Sequence, residues 1–291
     1  MSHIEFKALQ LQEEAQRRVK SAGFLQSLFL RSTSKSEESI EYYKRAGNLF
    51  KMVKKWKQAG SAFMDAANLC YKAKNFTEAA LEYIEAANCF KNCDTEMAIK
   101  AYKEAVKLYR NNGKYSAVAK NYEAMSELLQ EDYNNQGAEK YLEQAAYFYQ
   151  LDKRYWASNK CLEQIAEAAA LSSDYVKAIK IFEGIACFEL TSSTRKHIAN
   201  EYFFRCAICV LCAGASVTKR LLTYIYIFPP FKTSREYELV VCLAECINDN
   251  DLEGFEYAVR IFDSQTELSQ WHVTLLLRAR NQITENEHLI L

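Results

Sequence analysis

The residues of this chain most suited to bond chemistry are ten cysteines and four histidines. Cys206-x2-Cys209-x2-Cys212, with Cys242-x3-Cys246 further on, has the short spacing of a zinc site. Zinc ligands, however, sit on turns that can converge on one ion. These cysteines fall in the middle of a helical pattern among Phe203, Phe204, Ile208 and Leu211, which predicts buried thiols acting as small apolar groups. His3, His197, His272 and His288 are scattered, and none forms HExxH or stands beside a nucleophile. The chain has no GxGxxG, Walker loop or GxSxG, and Ser216-x-x-Lys219 is a short pattern that arises by chance. These residues predict no catalytic centre, metal site or cofactor.

Two other groups suit binding. Lys91, Lys114, Lys120 and Lys160 are spread through the middle of the chain, as an acidic partner would require. Gly23-Phe24-Leu25-Gln26-Ser27-Leu28-Phe29-Leu30 places five large apolar side chains between a charged helix, Glu13 to Lys20, and a Ser/Thr-rich stretch, Arg31 to Ser36, expected as loop. Such a segment either tucks onto the first hairpin or wedges into lipid headgroups or a partner.

The elements that carry these residues are helices. With 291 residues, 49% hydrophobic and 25% charged, the chain has the composition of a soluble folded protein, and two prolines and eight glycines are too few for the turns of a sheet protein. Lys+Arg and Asp+Glu each number 37, which argues against a wholesale grip on nucleic acid. Residues 1–7 show no apolar core of a signal peptide, so reduced thiols and a cytoplasmic location are expected. The uncharged stretch Cys206 to Thr218 is too short to span a bilayer.

Small or apolar anchors recur at Ala46, Ala66, Ala86, Ala105, Met125, Ala145, Ile165 and Ile185, in steps of 20, 20, 19, 20, 20, 20 and 20. Positions four before and four after are also apolar around most anchors, as at Ala62 and Cys70 or Cys161 and Ala169, lining one helix face. A polar break followed by an aromatic keeps the same beat: Lys54-Lys55-Trp56, Lys74-Asn75-Phe76, Gly113-Lys114-Tyr115, Lys153-Arg154-Tyr155 and Ser173-Asp174-Tyr175. The aromatics are expected to pack between hairpins. A helix of about 15 residues plus a turn fits each step. The pattern predicts an all-α, right-handed solenoid of tetratricopeptide-like hairpins, about 40 residues each.

Alternate helices share a face in such a stack, so Lys120 and Lys160 should project from one surface. The beat fades after about residue 190, which divides the chain into a hairpin sheet at 1–195, carrying the apolar loop at 23–36, and a C-terminal bundle at 196–291. Thr191 to Thr194 reads as loop. Helices are expected over Asn200 to Cys212, Ser234 to Ile247, Asp251 to Asp263 and Ser269 to Ile283, with a break at Phe228-Pro229-Pro230-Phe231. Tyr224 to Phe228 has strand propensity but no partner strand.

Read along its length in one register, the chain resembles the soluble N-ethylmaleimide-sensitive factor attachment proteins of the alpha type. The likeness rests on Gly23-Phe24-Leu25-x-x-Leu28-Phe29, Arg45-Ala46, Phe50-Lys51-Met52, Lys54, Trp56, Ala59-Gly60-x-Ala62-Phe63, Ser158-Asn159-Lys160-Cys161-Leu162, Tyr202-Phe203-Phe204, Ser234-Arg235-Glu236 and Gln270-Trp271-x-x-x-Leu275-Leu276-Leu277-Arg278. The resemblance implies a monomeric, non-enzymatic adaptor. Several copies would coat a SNARE four-helix bundle of syntaxin-like subunits and recruit a hexameric AAA+ ATPase, the N-ethylmaleimide-sensitive factor, to unwind it after membrane fusion. It implies SNARE-binding roles for Lys91, Lys114, Lys120, Lys160 and Arg205, with Gln164 where the family has a further base. It also implies membrane contact through Phe24, Leu25, Leu28, Phe29 and Leu30, and ATPase contact through Glu285, Glu287, Leu289, Ile290 and Leu291 in a tail less acidic than the family's. The location implied is peripheral, on the cytosolic face of endomembranes. A generic helical-repeat scaffold for peptide tails is the alternative, but it would concentrate its bases in one or two repeats.

Overall fold

A computed structural model describes the backbone of residues 2–24 and 32–288 and the side chains of residues 2–21 and 36–283. Its elements are α1 (His3–Phe24), α2 (Ser32–Met52), α3 (Trp56–Lys72), α4 (Phe76–Phe90), α5 (Thr95–Asn111), α6 (Tyr115–Glu131) and α7 (Asn135–Leu151). They continue with α8 (Tyr155–Leu171), α9 (Tyr175–Leu190), α10 (Ala199–Cys212), α11 (Thr218–Ile227), α12 (Arg235–Asp249), α13 (Leu252–Gln265) and α14 (Gln270–His288). Short 3-10 turns lie at Lys196–Ile198 and Pro229–Thr233, and no strand occurs among the described residues. Tyr224 to Ile227 is helical, as the missing partner strand implied. The loop expected at 23–36 is corrected at both described ends: Gly23 and Phe24 complete α1, and Ser32 to Ser36 is the first part of α2, because Ser and Thr are favoured at a helix start.

Each anchor lies on its own helix, α2 to α9, and every one is buried, with 0–2% of its surface exposed. Three residues before each anchor sits a second repeated position, occupied by Tyr43, Phe63, Tyr83, Tyr102, Tyr122, Leu142, Leu162 and Phe182. The small anchor lets neighbouring helices approach, and the larger side chain one turn earlier fills the space beside it. Two of these tyrosines also donate back to the preceding helix: Tyr83 to Asn68 Oδ1 at 2.8 Å and Tyr102 to Asn88 Oδ1 at 2.9 Å.

The turns obey the same beat. Lys54, Lys74, Gly113, Tyr133, Lys153 and Ser173 all have positive φ, and each ends a helix. At every one, paired backbone bonds close the helix end, as Lys74 N–H to Tyr71 O at 3.0 Å and Asn75 N–H to Cys70 O at 2.9 Å. The turn after α4 is the exception. Its α4 is only 15 residues, no residue of that turn has positive φ, and Asp94 enters α5 from an extended conformation. This is the place where the anchor step shortens from 20 to 19.

The aromatics after the breaks are the first helical residues, and they are less buried than expected: Phe76 and Tyr155 remain exposed, and Phe76 meets Tyr71 across its own turn, centroids 5.5 Å apart.

Two compact units comprise Met1–Ser158 and Asn159–Leu291. This division is earlier than the expected 195/196. In the second unit α9 packs on α10, and one core runs from Ala166 through Phe182 and Phe203 to Ile283. The last helices of the beat thus share a core with the C-terminal bundle, a relation set by packing and not by repeat phase. In the first unit α1 to α7 pack each on the next. In the second, α10 is central, with Cys206 to Leu211 all buried. Phe203 stacks on Tyr224 at 4.5 Å, and the two prolines lead into the fully buried Phe231.

Gly113 has φ +67 and open space where a Cβ would stand, so Gly113→Ala tests the turn conformation alone. It should destabilise the protein by about 1–2 kcal/mol. Tyr133, with φ 57 and 92% exposed, should show the opposite sign. Tyr133→Gly is expected to add about 0.5 kcal/mol, since relief of the left-handed strain exceeds the gain in unfolded-state freedom. Chemical denaturation of both variants checks this; equal shifts of one sign would refute it.

Candidate functional site

The lysines fall at helix ends and on exposed faces. Lys91 closes α4, Lys114 is the N-cap of α6, Lys120 lies on the second turn of α6, and all three are exposed. Lys114 and Lys120 come together, lining a shallow depression with Tyr115, Ser116, Ala117 and Asp152; Lys91 lies outside it. In the second unit, Lys160 is exposed on α8. Among the described residues no carboxylate stands within ion-pair distance of these four, whereas Lys44 and Lys51 are bridged to Glu82 and Glu85 at 3.0 and 2.8 Å.

Lys114 is also a poor choice for its backbone position. Asn75, Asp94 and Asn134 cap α4, α5 and α7 by accepting a backbone N–H. Lys114 makes no such bond and sets a cation at the positive end of the α6 dipole. Lys55, the other uncapped start among α3 to α7, pairs with Glu5 at 3.5 Å. Lys114 has only the ring of Tyr109, 5.8 Å away. This local choice costs stability, and no carboxylate among the described residues compensates it.

Arg205 differs. Its side chain is 11% exposed, and its guanidinium meets Glu163 at 3.0 Å, Glu167 at 2.6 Å and Glu201 at 2.7 Å. It stands 5.4 Å from the Trp271 ring and 5.7 Å from that of Phe182. Burial works against its charge, but the three carboxylates hold its pKa above the ordinary value. Burial likewise opposes the Glu201 charge, yet His272 and Arg205 together pull its pKa down to about 2. Tyr202 donates to Glu163 at 3.3 Å, and the Trp271 indole donates to Glu167 O at 3.2 Å. This cluster ties α8, α10 and α14 together. The sequence offered one sign of it, Glu201 and Arg205 four apart on one helix, but not the carboxylates of α8.

The α10 cysteines are buried or half-buried, and burial pushes Cys209 up to about 12. Cys212 Sγ rests 3.1 Å from Leu275 O. They serve as small apolar side chains, as their helical setting implied. No group of metal-ligating side chains gathers among the described residues, and none of their helices is long and apolar enough to cross a membrane. Leu25, Leu28, Phe29 and Leu30, and Leu289, Ile290 and Leu291, lie outside the described residues; so do the side chains of Phe24, Glu285 and Glu287.

The described residues form consecutive helical hairpins that leave Lys91, Lys114, Lys120 and Lys160 exposed, the architecture of a helical-repeat protein. The sequence matches the family model for soluble NSF attachment protein over residues 6–284. It is 35% identical over 286 residues to the human alpha-soluble NSF attachment protein, covering 97% of each chain. It is 34% identical over 256 residues to the alpha-soluble NSF attachment protein of Vitis vinifera, covering 87% of this chain and 89% of that one. A soluble NSF attachment protein homolog of fowlpox virus is 27% identical over 286 residues, covering 96% of this chain and 99% of its own. The chain belongs to the soluble NSF attachment protein family.

Two substitutions should move stability in opposite directions. Arg205→Met removes the shared partner of three carboxylates, leaving Glu201 to His272 and Glu163 to Tyr202, and should cost about 2 kcal/mol, less than the ~3–5 of a fully buried pair because the acids are partly exposed and keep other partners. Lys114→Asn supplies the missing cap and should add about 1 kcal/mol. Thermal unfolding decides both; a destabilised Lys114→Asn would mean the lysine serves the fold.

Proposed function

We propose that the protein is an adaptor that binds assembled SNARE four-helix bundles of syntaxin-like subunits and brings to them a hexameric AAA+ ATPase, the N-ethylmaleimide-sensitive factor. The ATPase then disassembles the bundles after membrane fusion in vesicle trafficking. The observation that carries this reading is the family match across residues 6–284, within which the lysines of the middle repeats stay exposed and unpaired. A long acidic rod is the partner that suits cations spread over several hairpins.

In this reading Lys91, Lys114, Lys120, Lys160 and Arg205 carry the contact, Arg205 from within its cluster of three acids. Phe24, Leu25, Leu28, Phe29 and Leu30 touch the membrane surface. Glu285 and Glu287, followed by Leu289, Ile290 and Leu291, meet the ATPase. The protein is a monomer alone and acts as several copies per bundle. It works from the cytoplasm, peripherally on the cytosolic face of endomembranes, without a cofactor or a catalytic step of its own.

The test is the Lys120→Glu/Lys160→Glu variant. Two attractions become repulsions at exposed positions, so bundle binding and ATPase-driven disassembly should be lost while thermal unfolding is unchanged. Binding by the unaltered protein should weaken as salt rises from 0.05 to about 0.5 M, because exposed pairs are screened. Full affinity in the double variant, measured by pull-down and disassembly assay, would reject the assignment.

A further inference from the structure

A larger concavity lies elsewhere in the first unit. It is about 1070 Å³ and is walled chiefly by α5 and α7, with part of α3 at one end. Its inner side carries Tyr83 of α4 and Tyr122 of α6, the repeat position three residues before the anchor. Tyr122 follows Lys120 by two residues, which places it about 200° round α6. The hollow and the Lys114–Lys120 depression therefore use different faces of the same helix.

Its lining is basic and aromatic. Lys103, Lys107, Arg110 and Lys140 face two acids, Glu104 and Glu143. Lys107 is paired with Glu104 at 2.6 Å, and Lys103 stands 5.9 Å from the Tyr141 ring. Among the described residues neither Arg110 nor Lys140 has a carboxylate within ion-pair distance, and both are exposed. Tyr122 stacks on Tyr141 with centroids 5.9 Å apart, and Tyr71 is 51% exposed at the α3 end. The rings are held in place before anything binds, so little side-chain freedom is lost on docking.

We propose that this groove docks an acidic, amphipathic peptide segment of a protein partner, separate from the rod bound by Lys120. The excess of cations asks for carboxylates. The tyrosine faces ask for aliphatic or aromatic side chains between them, and the volume exceeds what most small ligands fill. The two wall carboxylates disfavour the dense phosphates of a nucleic acid, which has no apolar groups to offer in return.

The probe is a fluorescein-labelled, 15-residue peptide alternating Glu-rich and Leu/Phe positions, read by fluorescence anisotropy with the full-length protein. Polyglutamate of equal length and a single-stranded RNA 15-mer serve as comparisons. The amphipathic peptide should bind, and Arg110→Glu/Lys140→Glu should weaken it at least tenfold, with Arg110→Gln/Lys140→Gln giving a smaller loss and unaltered thermal unfolding. Lys120→Glu/Lys160→Glu should leave it within twofold. Retained binding in the Arg110/Lys140 variants, equal loss in the Lys120/Lys160 variant, or equal affinity for polyglutamate or RNA would each overturn the proposal.

Discussion

The close approach of neighbouring helices at one small, buried side chain per helix is the constraint from which the rest of the repeat follows. Helices of this length draw most of their stability from tertiary packing, so each depends on covering its apolar stripe with the next. Alanine at Ala46, Ala66, Ala86 and Ala105 brings the backbones near, and a ring one turn earlier closes the gap. The price of this closeness shows at Gly60, where a Cβ would stand 2.7 Å from the Phe90 ring. Any larger group at that contact must displace an aromatic that is itself fully packed.

Holding the anchors in phase then falls to the turns. A left-handed residue after α2, α3, α5, α6, α7 and α8 reverses the chain in the fewest residues, and the backbone bonds around it satisfy the terminal carbonyls without side chains. Side chains at the turns are thereby released for other purposes. Lys54, Lys74 and Lys153 occupy left-handed positions themselves, and Lys114 follows one immediately. The same economy places cations along the ends of the hairpins, where nothing internal needs them.

How far the sequence shows all this depends on the range of the interaction. Helix positions, the anchors and the inward cysteines of α10 are legible because they repeat with local periods. The helical start of α2 was hidden because Ser and Thr are equally at home in a loop and in a first turn. The unit boundary was hidden for another reason: the beat runs on through α9, and only the packing of α9 against α10 assigns it to the second core. Arg205 looks like any surface base in the sequence. Its burial requires Glu163 and Glu167 from α8 and Trp271 from α14, none of them near it in the chain. Only its pairing with Glu201 was local.

A formal charge of zero therefore says little about what the surface offers. Of the 37 basic residues, those such as Lys44, Lys51, Arg205 and Arg220 face carboxylates of other helices and contribute to holding them together. The acids so engaged cannot offset cations elsewhere. Lys91, Lys114, Lys120 and Lys160 are left uncompensated locally, and Lys114 at the cost of a helix cap. A balanced composition excludes a protein that is basic throughout, but it permits cationic faces wherever the acids are committed inside the fold. That separation, more than the total, is what lets a chain of neutral overall charge carry locally cationic faces.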